Sequence, residues 1–579
     1  MEILLNQVGY DNSEPKRALL KSSPKEGLPE APVRFRVLDA SSGAAVLEGE
    51  APFVGAVRRW KDWIFWSLEF SGLRRPGRYR LELSAGGRSG RSEAFEVGEG
   101  LLRRRTLPAV LSYFRSQRCS GALDQADRST PFFGGRAGRV DVHGGWYDAS
   151  GDKSKYLSHL SYANYLNPQQ TPLVVWALLA ARDLLAEQGT EEARQGLLEE
   201  ALHGADFLRR MQDPGGCFYI GVFDRWSKDP AQREICAFRG QEGTKSDRYR
   251  AGYRQGGGLA VAALARASST APRAEAAACL EAASRGFAHL EAHNREYLDD
   301  GEENILDDYC ALLAATELHR ASGEAAFLQA ARLRAERLSG RLHRDERYSG
   351  WWRADARGER PFFHASDAGL PVIALLRYVE AEPERGRAEA ALQAVRRSLE
   401  FELAITGEVP NPFGYARQYV KPVDGPRRPA FFFPHRNESG YWWQGENARL
   451  GSLAAAARLA CRSLPAETGL KARLQTYAAD QLNWILGCNP FDACLLYGFG
   501  RNNPQYEQSW PNAYGGICNG ITSGFADEED IDFLPLPQAE RGEHRWRWSE
   551  QWLPHSAWYL LAVCAGEGKY PSPAGPQSL

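Results

Sequence analysis

Hydrophobic and polar residues alternate with period two along VRFRVLD, DWIFWSLEF, GRYRLELS and EAFEVG, short runs bounded by Gly and Pro within residues 1 to about 98. That alternation predicts an all-β module of sandwich size. From about residue 101 the period lengthens: Ala193, Leu197, Ala201, Ala205, Leu208 and Met211 recur every three or four positions, on one stripe of a helix. Helical segments are predicted near 101–117, 172–187, 191–212, 250–268, 274–293, 305–321, 325–341, 366–380, 386–405, 445–463, 469–487 and 554–565. Twelve helices make six hairpins. Ala-rich stretches such as GSLAAAARLACRSL and GGGLAVAALARAS permit close helix-to-helix approach on both sides. No sequence repeat of fixed period is visible, which disfavours an open solenoid and favours a closed ring of hairpins, a mainly α (α/α)6 barrel over residues 99–579 behind a small all-β domain over 1–98.

Composition narrows the partners. Lys plus Arg number 71 against 73 Asp plus Glu, a formal net charge of -2, which argues against nucleic acid or an anionic membrane surface. Aromatic residues make up 11% of the chain, with 16 Trp and 23 Tyr, a composition suited to stacking against flat ligands such as sugars. The opening MEILLNQVGYDNSEPKR lacks a basic region followed by a long apolar one, and no stretch approaches the roughly 20 apolar residues of a membrane span, so a cytoplasmic protein is expected. The ten Cys are scattered without a CxxC pair and are expected to be buried free thiols.

The segments between helices are long: 118–171, 213–249, 406–444 and 488–553 are rich in aromatics and charge, and loops of such length are generally functional. The first contains GGWYDASGDKSKY, residues 144–156, with Asp148 and Asp152 among Gly144, Gly145 and Gly151. Two neighbouring carboxylates can handle one water, one as base and the other orienting the nucleophile. Equally, one acid could cap a turn while the other is solvated. The glycines favour the first reading, since they let the backbone turn tightly and a ligand come close.

DVHGGWYDASGD resembles the base-bearing motif of glycoside hydrolase family 9, where Gly-Gly-Trp leads into Asp-Ala-Gly-Asp. LLNQVGY, LRRPGRYRLEL and FRSQRCSG resemble the immunoglobulin-like module and linker preceding the barrel in one branch of that family. QLNWILGCNPFDACLLYGFGRNNPQ resembles its Asn-Pro-containing signature, and HRWRWSEQWLPHSAWYLLA stands where the family carries its Asn-Glu-Val-Ala motif. The resemblance implies Asp152 as general base, Asp148 as its partner and Glu550 as general acid of an inverting hydrolase, with Trp546, Trp548 and Trp552 as apolar surroundings that raise the acid's pKa. Three features depart from the common pattern. The aspartates are four apart rather than three; QYEQSWPNAYGG offers neither the His nor the Arg that usually follow the signature; and His555 replaces a frequent Tyr. The subsites around the scissile bond are therefore expected to be rebuilt for a substrate other than plain cellulose.

Relatives with the N-terminal module often hold zinc near the linker, but only Cys119 and His143 remain here, too few for a closed site. The run ADEEDIDF, residues 526–533, falls where some relatives hold calcium and is expected instead to be a solvated loop. No cofactor is expected. A sugar bearing a 2-ammonium group would be held by an acid, and Glu302, Glu303, Asp307, Asp308, Asp367, Glu438 and Glu446 supply candidates, of which Glu303, Asp308, Glu438 and Glu446 are chosen. Trp146, Tyr147, Trp442, Trp443, Trp552 and His555 are expected to contact the sugar. The DASGD variant, the missing His-Arg, the Ig-like start and the apparent lack of an export signal together resemble the family 9 exo-β-D-glucosaminidases of bacterial chitin degradation. That resemblance implies release of β-1,4-linked glucosamine from the non-reducing end of chitosan oligosaccharides. The alternatives are a glucanase of the same family acting on β-1,4-glucan and a catalytically inactive barrel that binds oligosaccharide; oligomeric state is open.

Overall fold

In the computed structural model the described residues are 1–186, 189–465, 469–535 and 544–566. Residue 187 of the second predicted helix, 536–543 of the last predicted loop and 567–579 of the predicted barrel domain lie outside them. The first 98 residues form two facing sheets. One joins Glu2–Leu4, Arg17–Ser22, Ile64–Glu69 and Phe53–Gly55; the other joins Tyr10–Asp11, Phe95–Gly98, Gly77–Ala85, Val33–Asp39 and Ala45–Ala51, with Arg88–Arg91 on the edge of Gly77–Ala85. The period-two pattern is realised directly: Val33, Phe35 and Val37 are buried between the sheets while Arg34 and Arg36 are exposed.

Twelve long helices then form two concentric rings. The inner ring is Thr171–Leu184, Gly258–Ser268, Ile305–Ser322, Leu370–Ala381, Asn447–Ser463 and Leu553–Cys564, each packed on the next, and the last packs on the first. The outer ring is Leu101–Gln117, Glu191–Arg210, Arg273–Tyr297, Ala325–Ser339, Arg385–Thr406 and Gly469–Ile485. Every predicted helix is present. Inner helices are apolar nearly all round, as in TPLVVWALLAARDL, because they are covered on both sides; outer helices carry one apolar stripe and face water on the other side. The predicted start at 250 is early by eight residues, the helix beginning at Gly258: a wide turn at Tyr253–Gly257 precedes it, with Gly256 at φ 99° where a Cβ would lie 2.5 Å from Leu157.

The connection lengths locate the functional end. Inner-to-outer links are short (residues 323–324 and 382–384, for example), whereas the long segments all lead from an outer helix into the N-terminus of an inner one. All of them therefore gather at one mouth of the barrel. The sandwich docks on the barrel's side through Trp60, which is fully buried among Phe413, Tyr415, Phe431, Phe432 and Trp484, through Arg17 to Asp480 (2.9 Å) and through Asn6 to Asn483 (2.9 Å). The ten cysteines are free, nine of them buried and Cys461 partly exposed. No helix among the described residues is long and apolar enough to cross a membrane.

Candidate active site

At the loop-bearing mouth lies a cavity of about 240 Å³. Its walls come from four of the long segments: the aspartate loop with Asp148, Asp152 and His159; Trp226 and Gln241; Tyr441, Trp442 and Gln444; and the C-terminal stretch with Tyr506, Trp510, Trp546, Glu550 and Trp552. Among the described lining residues, Asp148, Asp152 and Glu550 are the carboxylates, and no Lys or Arg is present.

The two ends of the polypeptide meet through backbone pairing. Ser150 N donates to Gln551 O (2.9 Å), Leu553 N donates to Asp148 O (3.2 Å), and Gln551 N donates to Ser150 Oγ (3.0 Å). This short antiparallel pairing fixes Glu550 against the aspartate loop, where Glu550 Oε1 accepts from Gly151 N at 3.2 Å. Gly151 has to be glycine: a Cβ there would stand 2.5 Å from Glu550 Oε1 and 2.8 Å from the Tyr506 ring.

Asp152 is buried. Its Oδ2 accepts from Tyr156 OH (2.9 Å) and Trp226 Nε1 (3.0 Å), and its Oδ1 accepts from Ser154 N (2.8 Å). Asp148, also buried, accepts at Oδ2 from Trp552 Nε1 (2.9 Å) and lies 3.2 Å from His159 Nδ1, while its Oδ1 has no protein partner. A buried carboxylate oxygen left without a donor costs free energy unless water or substrate fills the place. Burial, and next the neighbouring Asp148, push the Asp152 carboxyl above its ordinary range. Glu550 is raised further, first by burial of its carboxyl and then by repulsion from Asp152 and Asp148, although the residue as a whole keeps partial access through the cavity. A carboxyl that holds its proton, set beside two further carboxyl groups, is the arrangement that can give a proton to a leaving group while a neighbouring acid takes one from water.

Several expected contacts are not made. Trp146 faces away from the cavity, its indole donating to Glu200 (2.7 Å) and its ring packed over Gly204. Tyr147 exchanges hydrogen bonds with Ser120 and lies under Lys153. Glu303 pairs with Arg334 and Arg337, Asp308 with Arg341, Glu438 with Arg360, and Glu446 with Arg449 and Phe433 N; none of the four reaches the cavity. Trp443 is sandwiched between His435 (3.8 Å) and Arg547 (4.0 Å), so Trp442 alone of that pair lines the site. Trp548 packs in the core, whereas Trp546 and Trp552 face the cavity. His555 is fully buried behind Gln444, linked to it through Asn519 (2.7 Å to His555, 3.0 Å to Gln444), and burial lowers its pKa to about 3. What the sequence reading missed, namely His159, Trp226, Gln241, Tyr441, Gln444, Tyr506 and Trp510, lies in loops without period; the aromatic density of those loops was the one available signal.

The metal candidates do not fit a metal. Cys119 Sγ is 3.6 Å from Asp127 Oδ2, whereas His143 Nδ1 pairs with Asp141 (2.6 Å). The acidic run is a partly exposed loop, as expected, whose acids are also ion-paired: Asp530 and Asp532 bind Lys61 (2.8 and 2.7 Å), Asp527 binds Arg59, and Glu528 and Glu529 bind Arg428. Its carboxylates are taken up by Lys61, Arg59 and Arg428, whereas a calcium site needs oxygens free to converge on the ion.

Residues 104–515 match the family model described as Glycosyl hydrolase family 9, and residues 1–88 match Cellulase N-terminal ig-like domain. Among solved structures, a metagenome-derived glycoside hydrolase family 9 endoglucanase superposes with a TM-score of 0.68 at 20% identity over 97% of this chain and 98% of its own. A GH9 protein of Bacteroides ovatus gives 0.66 at 18% identity over 97% and 98%, and the endoglucanase J30 gives 0.64 at 20% over 96% and 99%. At such identities the likeness speaks for the fold. No curated protein matches the chain significantly in sequence.

Proposed function

Since the chain belongs to glycosyl hydrolase family 9, we propose that it is an inverting β-glycosidase in which Asp152 is the general base, Asp148 its partner and Glu550 the general acid. A water held by Asp148 Oδ1 and Asp152 attacks the anomeric carbon; its proton passes to Asp152 while Glu550 transfers its own to the departing glycosidic oxygen. The bond from carbon to the leaving oxygen breaks as the bond to water forms, giving the inverted anomer, and no metal or cofactor takes part. The observation that carries the reading is Glu550 fixed on Gly151, between the two aspartates, with a raised pKa.

The substrate we propose is β-1,4-linked glucosamine at the non-reducing end of chitosan oligosaccharides. Two observations support it. The cavity is smaller than the roughly 300 Å³ at which pockets for drug-sized ligands begin, which suits a small sugar better than a long chain. Its charged lining is acidic, without Lys or Arg, which favours a cationic ring over a neutral one. With Glu303, Asp308, Glu438 and Glu446 engaged elsewhere, the ammonium group would be read by the catalytic carboxylates themselves. A second reading, hydrolysis of β-1,4-glucan, draws on the indole-rich walls, which stack any pyranose, and on the solved relatives described as endoglucanases. The deciding measurement is the ratio of kcat/KM for fully deacetylated chitobiose and for cellobiose, with the first-formed product anomer followed by NMR. We expect the diamine to be preferred and the anomer inverted. Preference for cellobiose would transfer the enzyme to the second reading, and tight binding without turnover of either sugar would make the barrel a sensor.

A further inference from the structure

The segment Asp224–Lys228 crosses the cavity wall with an unusual backbone. Arg225, Trp226 and Lys228 all have left-handed dihedrals, with φ of 58°, 58° and 61°, a region disfavoured for residues bearing a Cβ and persisting only where the surroundings enforce it. The enforcing contacts are identifiable. Ser227 Oγ donates to Asp224 O (2.6 Å) and accepts from Asp229 N (3.1 Å). Asp224 is itself buried, accepting from Ser154 Oγ (3.2 Å) and Arg233 (3.4 Å). The Trp226 ring meets Phe223 and Phe238 edge-on, and Gly243 is left bare beneath it, where a Cβ would come within 2.7 Å of the indole. Beyond it, Lys228 Nζ sits 3.3 Å from the centre of the Trp510 ring.

All of this delivers one atom: the Trp226 indole N–H, 3.0 Å from Asp152 Oδ2. With Tyr156 OH on the same oxygen, Oδ2 is filled, and Oδ1, which accepts only from Ser154 N, keeps a lone pair for water. We propose that Trp226 is a positioning residue for the base, its N–H fixing the rotation of the Asp152 carboxylate, and that the left-handed turn Arg225–Lys228 is what brings it there. The proposal rests on Asp152 being the base.

The groups facing Asp152 are few enough to interpret a titration. Asp148, Lys153, Tyr156 and His159 come from its own loop, and Asp224 and Lys228 from the crossing segment. Tyr441, Tyr506 and Glu550 face it from the remaining walls. Removing the indole N–H leaves all these charges in place and takes away a donor that favours the ionised carboxylate, so the proton affinity of Asp152 must rise.

The test is Trp226→Phe, which keeps the ring packing and loses the donor, assayed as kcat/KM against pH on whichever disaccharide the wild type hydrolyses. We expect kcat to fall about 100-fold, KM to change little, and the acid limb to move up by about one pH unit. Ser227→Ala, which loosens the turn without altering charge, should move the same limb in the same direction by less, and it serves if Trp226→Phe does not fold. An acid limb coincident with that of the wild type in a folded variant would overturn the proposal. A wild type that hydrolyses no disaccharide would instead overturn the reading of the site, and this proposal with it.

Discussion

Glu550 shows how little of a residue's chemistry is local. A glutamate in WSEQW would titrate near the usual carboxylate range if solvated; here burial and then two facing aspartates raise it, and the backbone N–H of Gly151 only partly offsets them. The direction of these shifts fixes the form of the pH profile. With Asp152 as the proposed base and Glu550 as the proposed acid, rate falls at low pH as Asp152 takes up a proton and falls at high pH as Glu550 loses its own. Glu550→Gln should lower kcat/KM on an unactivated disaccharide by about 10²- to 10⁴-fold and abolish the alkaline limb while keeping the acid one. An unchanged alkaline limb would show that another group is the acid. At this scale the sequence singled out three acids that the structure brings into one cavity, which is possible because the motifs that carry them stand at fixed points of the chain. It could not say which neighbouring side chains point into the cavity, since Trp146, Tyr147, Asp148, Trp442 and Trp443 are adjacent in sequence and face different surroundings.

Among the elements, the inner helices are distinguished by what they leave out. Their small and apolar residues let six helices close into a ring, and near the mouth opposite the site several of their charged residues meet around Glu317. This carboxylate, on Ile305–Ser322, accepts from Arg266 on Gly258–Ser268 (2.9 Å), from Arg377 on Leu370–Ala381 (2.8 Å) and from Trp176 on Thr171–Leu184 (2.9 Å), tying four inner helices together. Burial would raise its pKa, but the two guanidiniums prevail and lower it to about 2. A folded pKa below the unfolded one stabilises the fold above the unfolded value, near 4.5, and that contribution is lost as pH falls from there through about 2. Glu317→Ala should cost about 3–5 kcal/mol at neutral pH, because two buried cations lose their partner. It should also flatten the acid dependence of stability in that window; denaturant midpoints at pH 7 and pH 3 measure both effects. The helices were legible because their periodicity is a property of local sequence. The partners of Glu303, Asp308 and Glu438 were not: each of these acids is held by an arginine 31 to 78 positions away, and only Glu446, with Arg449 three residues on, has its arginine nearby.

Across the whole molecule, the sandwich is part of the barrel's structure rather than an appendage. Trp60 penetrates an aromatic cluster of the barrel, and Lys61 and Arg59 neutralise the acidic run that follows the signature segment. Trp60→Ala should therefore destabilise the full chain by about 3–5 kcal/mol with no direct effect on the pH profile of activity, and a loss of stability below about 1 kcal/mol would mean that the two domains dock weakly. Sequence alone determined the order of strands and helices, the six hairpins, the family and the three acids to look for, because alternation, helical period and motif spacing are written along the chain. Tertiary structure decided which aromatics form the cavity, that the predicted sugar-binding acids are ion-paired elsewhere, that three acids of the acidic run are neutralised by the other domain and two by Arg428, and that Asp148 keeps one oxygen free. Those outcomes depend on contacts between residues up to four hundred positions apart, such as Ser150 with Gln551 and Asp148 with Trp552, and no local pattern encodes the distance between them.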